Sequence, residues 1–437
     1  LAFFTSRHQR EADEDPILPD TNMTLQGQPS NLVPFIVALA ISLTSCAAPD
    51  SPNSESATST SYAPQNRPDV RGVNGAVSAG HPLAAQAGLA VLQDGGTATD
   101  AIIAMAGVLA VVRPHMNGVG GDAFGIFFDG ATGNVTALNG SGRSGALATP
   151  EFFKNQNLSE IPGTGALSVS VPGAVAAWFD AHERFGSQPF SQLLEPAIGY
   201  ATEGFPVSKR LAQDFESQGG ALNEPGKDLY LPGGNAPPVG TLLKNEALGA
   251  TLQRIANEGR EGFYTGEVAK RLAGFIEELG GHLRVEDFAA HSSTWVSPLR
   301  GDYLNHSFLV MPPNTQGVAQ LSYMEMAKAH SIKSLGHNTA SYLHTMIELK
   351  KLAFADRDRW VADPDKAHVP IDRLLNPEYL LDRSALVDAN RAAEQVEPGF
   401  GSKSSGTDNG SADDSGDTVY LTAIDQFGNA VSWIQSN

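Results

Sequence analysis

The scarcest residue in this chain of 437 is cysteine, present once. A lone thiol cannot close an internal disulfide or build a cysteine-based zinc site. Basic residues are also short: 29 Lys and Arg stand against 48 Asp and Glu, a formal net charge of −19. That balance argues against nucleic acid as a partner and against a basic membrane-surface role. The acidic surplus is spread along the chain and reads as solubility. The eleven histidines are scattered; His81, His115 and His182 have no metal-ligand spacing, so solvent or core roles are expected of them. Phosphate and dinucleotide signatures are missing as well. Gly118-Val-Gly-Gly121 is not followed by Gly-Lys-Ser/Thr, and Ala123 and a preceding helix spoil the dinucleotide pattern. Gly140-Ser-Gly142 lacks the spacing of a hydrolase nucleophile elbow. Asp356-Arg-Asp358 and Asp363-Pro-Asp365 read as helix-surface and turn charges. No internal repeat, metal site or cofactor is implied.

What is present begins with an apolar run of signal-peptide length, Asn31 to Cys46, too short to span a bilayer comfortably. Its end, Leu43-Thr-Ser-Cys46, resembles a bacterial lipobox, which makes Cys46 a candidate lipidation site. Met23 is the expected start, so residues 1–22 read as a non-native extension and 23–46 as a lipoprotein signal peptide. Met23 to Asn31 lacks the usual Lys or Arg, and a plain secretory signal or a buried thiol stay open as alternatives. Residues 47–70, rich in Ser, Thr, Asn and Pro, read as a disordered tether. The expected location is the periplasm or the outer membrane of a bacterium, as a lipoprotein.

Ordered sequence is expected from about Val73. Gly75 to Gly80 reads as a strand, Pro82 as the first residue of a helix running to Gln93, and Gly95-Gly96 as its cap. Thr97 or Thr99 caps a second helix, Asp100 to Val112, apolar all round and so buried. Ala123 to Asp129 and Val135 to Asn139 read as paired strands. Helices are expected over 173–185, 192–202, 247–258, 267–279 and 339–359. The class is α+β, with strands at both ends of a helical midsection. With 41% hydrophobic residues the chain can bury a large core in one or two domains.

The most telling segment is the last, Thr418 to Asn437. A flexible run, residues 399–417, leads into a β-hairpin whose first residue is a threonine. Asp425 and Asn429 bracket a three-residue loop with Gly428 at its left-handed position. Thr418 and Ser436 lie equally far from Phe427, so they face each other, with Cβ atoms about 4.5–5.5 Å apart and hydroxyls within bonding reach. Both faces of the first strand are mostly apolar, which predicts a central strand covered on both sides. A cuttable linker ending on a hydroxyl residue suggests self-processing between Asp417 and Thr418, after which a free α-amine could activate the threonine hydroxyl. An ordinary hairpin after a loop is the plain alternative. Arg143, in the small-residue loop Asn139-Gly-Ser-Gly-Arg-Ser-Gly145, exposes a fork suited to a carboxylate, though by composition it reads first as a solvated arginine.

Nine segments carry a resemblance to the γ-glutamyltransferase (glutathione hydrolase) family of N-terminal-nucleophile hydrolases. Among them are Gly95-Gly-Thr-Ala-Thr-Asp-Ala101, Val111-Val-Arg-Pro-His-Met-Asn-Gly-Val-Gly-Gly121, Val171-Pro-Gly-Ala174, Phe263-Tyr-Thr-Gly-Glu267, Met311-Pro-Pro313 and Asp417-Thr-Val-Tyr with Asp425-Gln-Phe-Gly-Asn-Ala-Val431. Coverage runs from about residue 70 to the end. The resemblance implies an αββα sandwich, incomplete here, with 71–417 as a large subunit and 418–437 as the start of a small one cut from the same precursor. It implies that Thr418 is the autocleavage point and nucleophile, with Ser436 bonding it, that Arg143 binds the α-carboxylate of the γ-glutamyl group, and that Asn437 adjoins the substrate's amino-acid end. Val419 and Tyr420 stand where many members have Thr-His, so donor affinity is expected to differ. Substrates so implied are glutathione and γ-glutamyl compounds, with water, amino acids or peptides as acceptors. Family chains continue past Asn437 with the paired glycines of an oxyanion hole. The sequence is therefore expected to be a fragment with little activity of its own, and measurable γ-glutamyl-p-nitroanilide hydrolysis by it would contradict that. Rival expectations are a cephalosporin or glutaryl acylase of the same fold, or a non-enzymatic lipid-anchored binding protein.

Overall fold

The second helix sets the frame of the molecule. Thr97 caps it: its hydroxyl accepts from the Asp100 amide while the Asp100 carboxylate accepts from the Thr97 amide, a reciprocal box that satisfies two orphan donors. Every residue of this helix, Ala98–Val112, is buried. The helix before it, Pro82–Gln93, starts at Pro82 with the His81 ring accepting from the Leu83 amide. Gly95, at φ +84°, breaks it as expected. The computed structural model describes residues 70–401 and 418–437 and the backbone of Ala2–Phe4.

In chain order the strands are β1 (Ala2–Phe4), β2 (Gly75–Ser78), β3 (Ala123–Phe128), β4 (Val135–Gly140), β5 (Phe205–Pro206), β6 (Leu242–Leu243), β7 (Thr294–Val296), β8 (Leu299–Tyr303), β9 (His306–Val310), β10 (Thr418–Asp425) and β11 (Ala430–Ser436). Six of them form an antiparallel sheet in the order β2-β10-β11-β3-β4-β7. The hairpin β10–β11 thus enters the middle of a sheet begun some 300 residues earlier. On one face, Val419, Leu421, Ala423, Val431 and Trp433 join the main core with Ile102, Met105, Leu109, Trp178 and Leu194. The helices Ala98–Val112, Ala174–Phe185 and Phe190–Glu203 supply that layer.

The prediction that both faces of β10 are covered does not hold among the described residues. Burial alternates along it, and Tyr420 and Ile424 on the far face are 40% and 50% exposed. Apolar side chains on both faces made the two-sided reading natural, but helices pack on one face only. Opposite the other stands a small sheet in the order β1-β9-β8, backed by the helix Gly317–Ala327 through Phe308, Val310 and Leu321. The long helix Ala340–Trp360 packs outside that, in a separate core of Met326, Leu349, Leu352 and Leu380. Helix, sheet, sheet and helix layers follow in turn, an α+β sandwich.

Two further expectations are corrected. The helical midsection is interrupted by β7, β8 and β9, whose alternating Leu299-Arg-Gly-Asp-Tyr303 and apolar Phe308-Leu-Val310 carried a strand signal. Asp356 is not a surface charge. It is 3% exposed, accepts from the Tyr379 hydroxyl at 2.6 Å and the Gly399 amide at 2.7 Å, and lies 3.4 Å from Arg383. None of the described helices is long and apolar enough to cross a membrane. The expected signal peptide with its candidate lipidation residue Cys46, residues 47–69 of the expected tether, and Asp417 lie outside the described residues.

Candidate active site

The hairpin register is the one the loop dictates: Thr418 pairs with Ser436, and Gly428 takes φ +83°. The two hydroxyls are hydrogen-bonded at 3.1 Å. The neighbouring strands extend this pair into a row. The registers Gln435↔Ala123 and Ala123↔Gly140, carried one residue further, set Ser436 opposite Asp122 and Asp122 opposite Ser141. The Ser436 amide donating to the Asp122 carbonyl at 3.0 Å continues that ladder. Thr418, Ser436, Asp122 and Ser141 therefore line one face of four adjacent strands, and all four open onto a cleft of about 560 Å³ between the sheet and β9. Tyr420 and Asn314 complete its polar edge, the tyrosine hydroxyl bonded to Ser432 at 2.9 Å. Asn314 accepts from Asn139 and donates to Ser141, both at 2.8 Å.

Beneath the row the sheet is braced by buried polar groups. Gln435 accepts from the Trp178 indole at 2.9 Å and donates to Asn117, whose own amide donates to the Leu109 carbonyl. The glycine-rich turn 118–121 wraps the end of β11. Gly118 donates to the Ser436 carbonyl, and a Cβ on Gly121 would lie 2.0 Å from that same oxygen, so only glycine fits. That is the structural use of a motif that fails as a phosphate loop. Asn437 sits in the same wrap, donating to the His115 carbonyl at 3.1 Å.

Asp122 is the group whose acidity the cleft alters. Burial pushes its carboxyl up to about 6, against a lowering by the Gly142 amide, which donates to it at 2.8 Å. Arg143 follows directly. It is not among the residues lining the cleft; its guanidinium, 51% exposed, lies 3.4 Å from Asp365, 66% exposed. Its charge, after burial and Arg260, helps push buried His291 down to about 4. The structure thus brings Thr418 and Ser436 together, sets Asn437 one residue beyond, and leaves Arg143 at the end of a loop that starts in the cleft.

Sequence reasoning missed Asp122, Ser141, Asn314 and Tyr420 as cleft residues. For Asp122 a signal existed: it directly precedes a strand whose partner ends at Ser436, so its face was readable once the sheet order was known.

Residues 84–437 match the family described as Gamma-glutamyltranspeptidase. The glutathione hydrolase-like YwrD proenzyme of Bacillus subtilis (strain 168) is 34% identical over 369 residues, covering 84% of this chain and 67% of that protein. The chain thus spans about two thirds of the length of such relatives. Among solved structures, a cephalosporin acylase from Bacillus halodurans superposes with TM-score 0.75 at 36% identity, covering 86% of this chain and 68% of that one. A gamma-glutamyltranspeptidase from Pseudomonas nitroreducens, complexed with L-DON, superposes with TM-score 0.69 at 30% identity, covering 75% and 98%.

Proposed function

This chain belongs to the gamma-glutamyltranspeptidase family, and from that membership we propose that it is a self-cleaving enzyme acting on the γ-glutamyl amide bond of glutathione and related compounds, with transfer to water or to amino acids. The observation that carries the reading is the hydroxyl pair of Thr418 and Ser436, 3.1 Å apart on the wall of a large cleft. Relatives are described as proenzymes, which supports a processing step.

In the precursor the Thr418 nitrogen is an amide and cannot take a proton. The hydroxyl adds to the Asp417 carbonyl, the C–N bond breaks as nitrogen gains the hydroxyl proton, and an ester is left. Water hydrolyses it, giving an Asp417 carboxylate and a free α-amine on Thr418. Such an amine has a reference pKa of about 7.7–8.0, suited to general-base work near neutrality. It takes the Thr418 hydroxyl proton as the oxygen adds to the γ-carbonyl. The departing amine receives that proton, leaving the acyl group on Thr418 until water or an amino acid removes it. Ser436 holds the nucleophile's rotamer. Arg143 takes the donor's α-carboxylate; its exposed pair with Asp365 is of the weak kind that a bidentate ligand displaces. Asn437 is assigned to the amino-acid end of the substrate.

Intact mass of the purified protein tests this: two pieces cut at 417–418 are expected, and a single uncut chain for Thr418→Ala. A normally processed T418A would overturn the assignment, and an uncut wild type would favour a lipid-anchored binder over an enzyme. The 36% identity to an acylase favours a second reading, a cephalosporin or glutaryl acylase using the same threonine. Comparing calorimetric binding of glutathione with that of a glutaryl amide separates the two.

A further inference from the structure

One cleft residue has no part in the scheme above, although it touches both ends of the site. The Asp122 main-chain carbonyl accepts from the Ser436 amide at 3.0 Å, and its side chain accepts from the Gly142 amide at 2.8 Å. Gly142 directly precedes Arg143. We infer that Asp122 is a positioning residue: through Gly142 it fixes the loop that presents Arg143 to the carboxylate end of the acyl donor. This rests on the role proposed above for Arg143.

The loop is held from two sides. Opposite Asp122, the Arg143 carbonyl accepts from the Val171 amide at 2.9 Å. A Cβ on Gly142 would lie 2.0 Å from the Val171 carbonyl and 2.5 Å from the Ser170 hydroxyl, so the loop already touches that wall. The Asp122 side chain is the partner that holds Gly142 itself, while Asn314, donating to the Ser141 hydroxyl, and Asp287, accepting from the Ala146 amide, anchor the residues on either side. At neutral pH that side chain is a carboxylate, since its pKa is raised only to about 6, and an ionised acceptor makes the stronger bond. Thr418 and Asp122 lie two strands apart, about 10 Å. Asp122 thus bears on where the far end of the donor is held and not on the nucleophile itself.

The test is calorimetric binding of L-glutamate and of glutarate, both carrying a carboxylate for Arg143, to the purified chain. Removing the acceptor in Asp122→Ala frees the loop and is expected to weaken both ligands by about tenfold, a cost within the worth of the one internal hydrogen bond that holds Gly142. Asp122→Asn, which keeps an acceptor oxygen, is expected to stay within about threefold of wild type. If D122A does not fold, Asp122→Leu fills the volume without an acceptor and is read in the same way. Wild-type affinity in D122A or D122L while Arg143→Ala loses binding would overturn the positioning role and leave Arg143's role standing. D122N losing glutamate alone, with glutarate unaffected, would mean direct contact with the donor's ammonium and would also overturn it. Equal binding by R143A and wild type would sink the Arg143 reading itself, and this inference with it.

Discussion

Asp122 is held where its charge is poorly solvated, and the consequence for stability has a definite sign. Its folded pKa, about 6, lies above the ordinary carboxyl value of 3.8, because burial favours the neutral acid. Between those two values the folded chain keeps a proton that the unfolded chain has lost, so this group's contribution to stability falls as pH rises through that window. Above it a constant penalty remains, roughly 3 kcal/mol for a shift of that size. D122N, which has no charge to desolvate, is therefore expected to unfold at a higher temperature than wild type at pH 7.5, with the gap closing towards pH 4. Calorimetry at both values checks this, and equal gaps at both would refute it. His291 runs the other way. Its pKa is pushed down to about 4, so its contribution is lost as pH falls below 6.5.

The hairpin shows which features local sequence determines. Loop length, Gly428 and the strand period fixed the pairing of Thr418 with Ser436, and the structure has that register. Helix positions were legible for a similar reason: caps and breakers are local, and the predicted 100–112 differs from Ala98–Val112 by two residues at its start. What β10 and β11 would lie against was not legible, because partners several hundred residues away leave no trace in a local pattern. Asp425 is the clearest case. It reads as a turn residue, yet its buried carboxylate accepts from the Phe427 and Asn429 amides, the Asn429 side chain and the Ala98 amide at the start of the central helix. One side chain thus closes the loop and ties the hairpin to that helix. Asp425→Ala strands those donors and is expected to cost about 3 kcal/mol in urea unfolding. A loss under about 1 kcal/mol would mean that the helix start is held by other means.

Across the whole molecule the cleft lies between two sheets with separate cores. The six-stranded sheet rests on the large core around Ala98–Val112; β8 and β9, with the helices behind them, rest on two smaller clusters. Asp356 is the polar hub on that second side. Its carboxylate faces Arg383, whose guanidinium also donates to the carbonyls of Leu352 and Glu397, and it holds the amide of Gly399, the first residue of the run that leads to Thr418. Asp356→Ala leaves Arg383 buried without its counter-charge, a change that typically costs 3–5 kcal/mol. Because its contacts lie within the smaller core, the cost should be local. Hydrogen exchange is expected to quicken over 340–360 and 377–401 while the helix Ala98–Val112 keeps its protection. Equal acceleration in both regions would mean that the two layers unfold as one cooperative unit. In that case damage behind β9 would reach the Thr418–Ser436 pair as readily as damage beneath it.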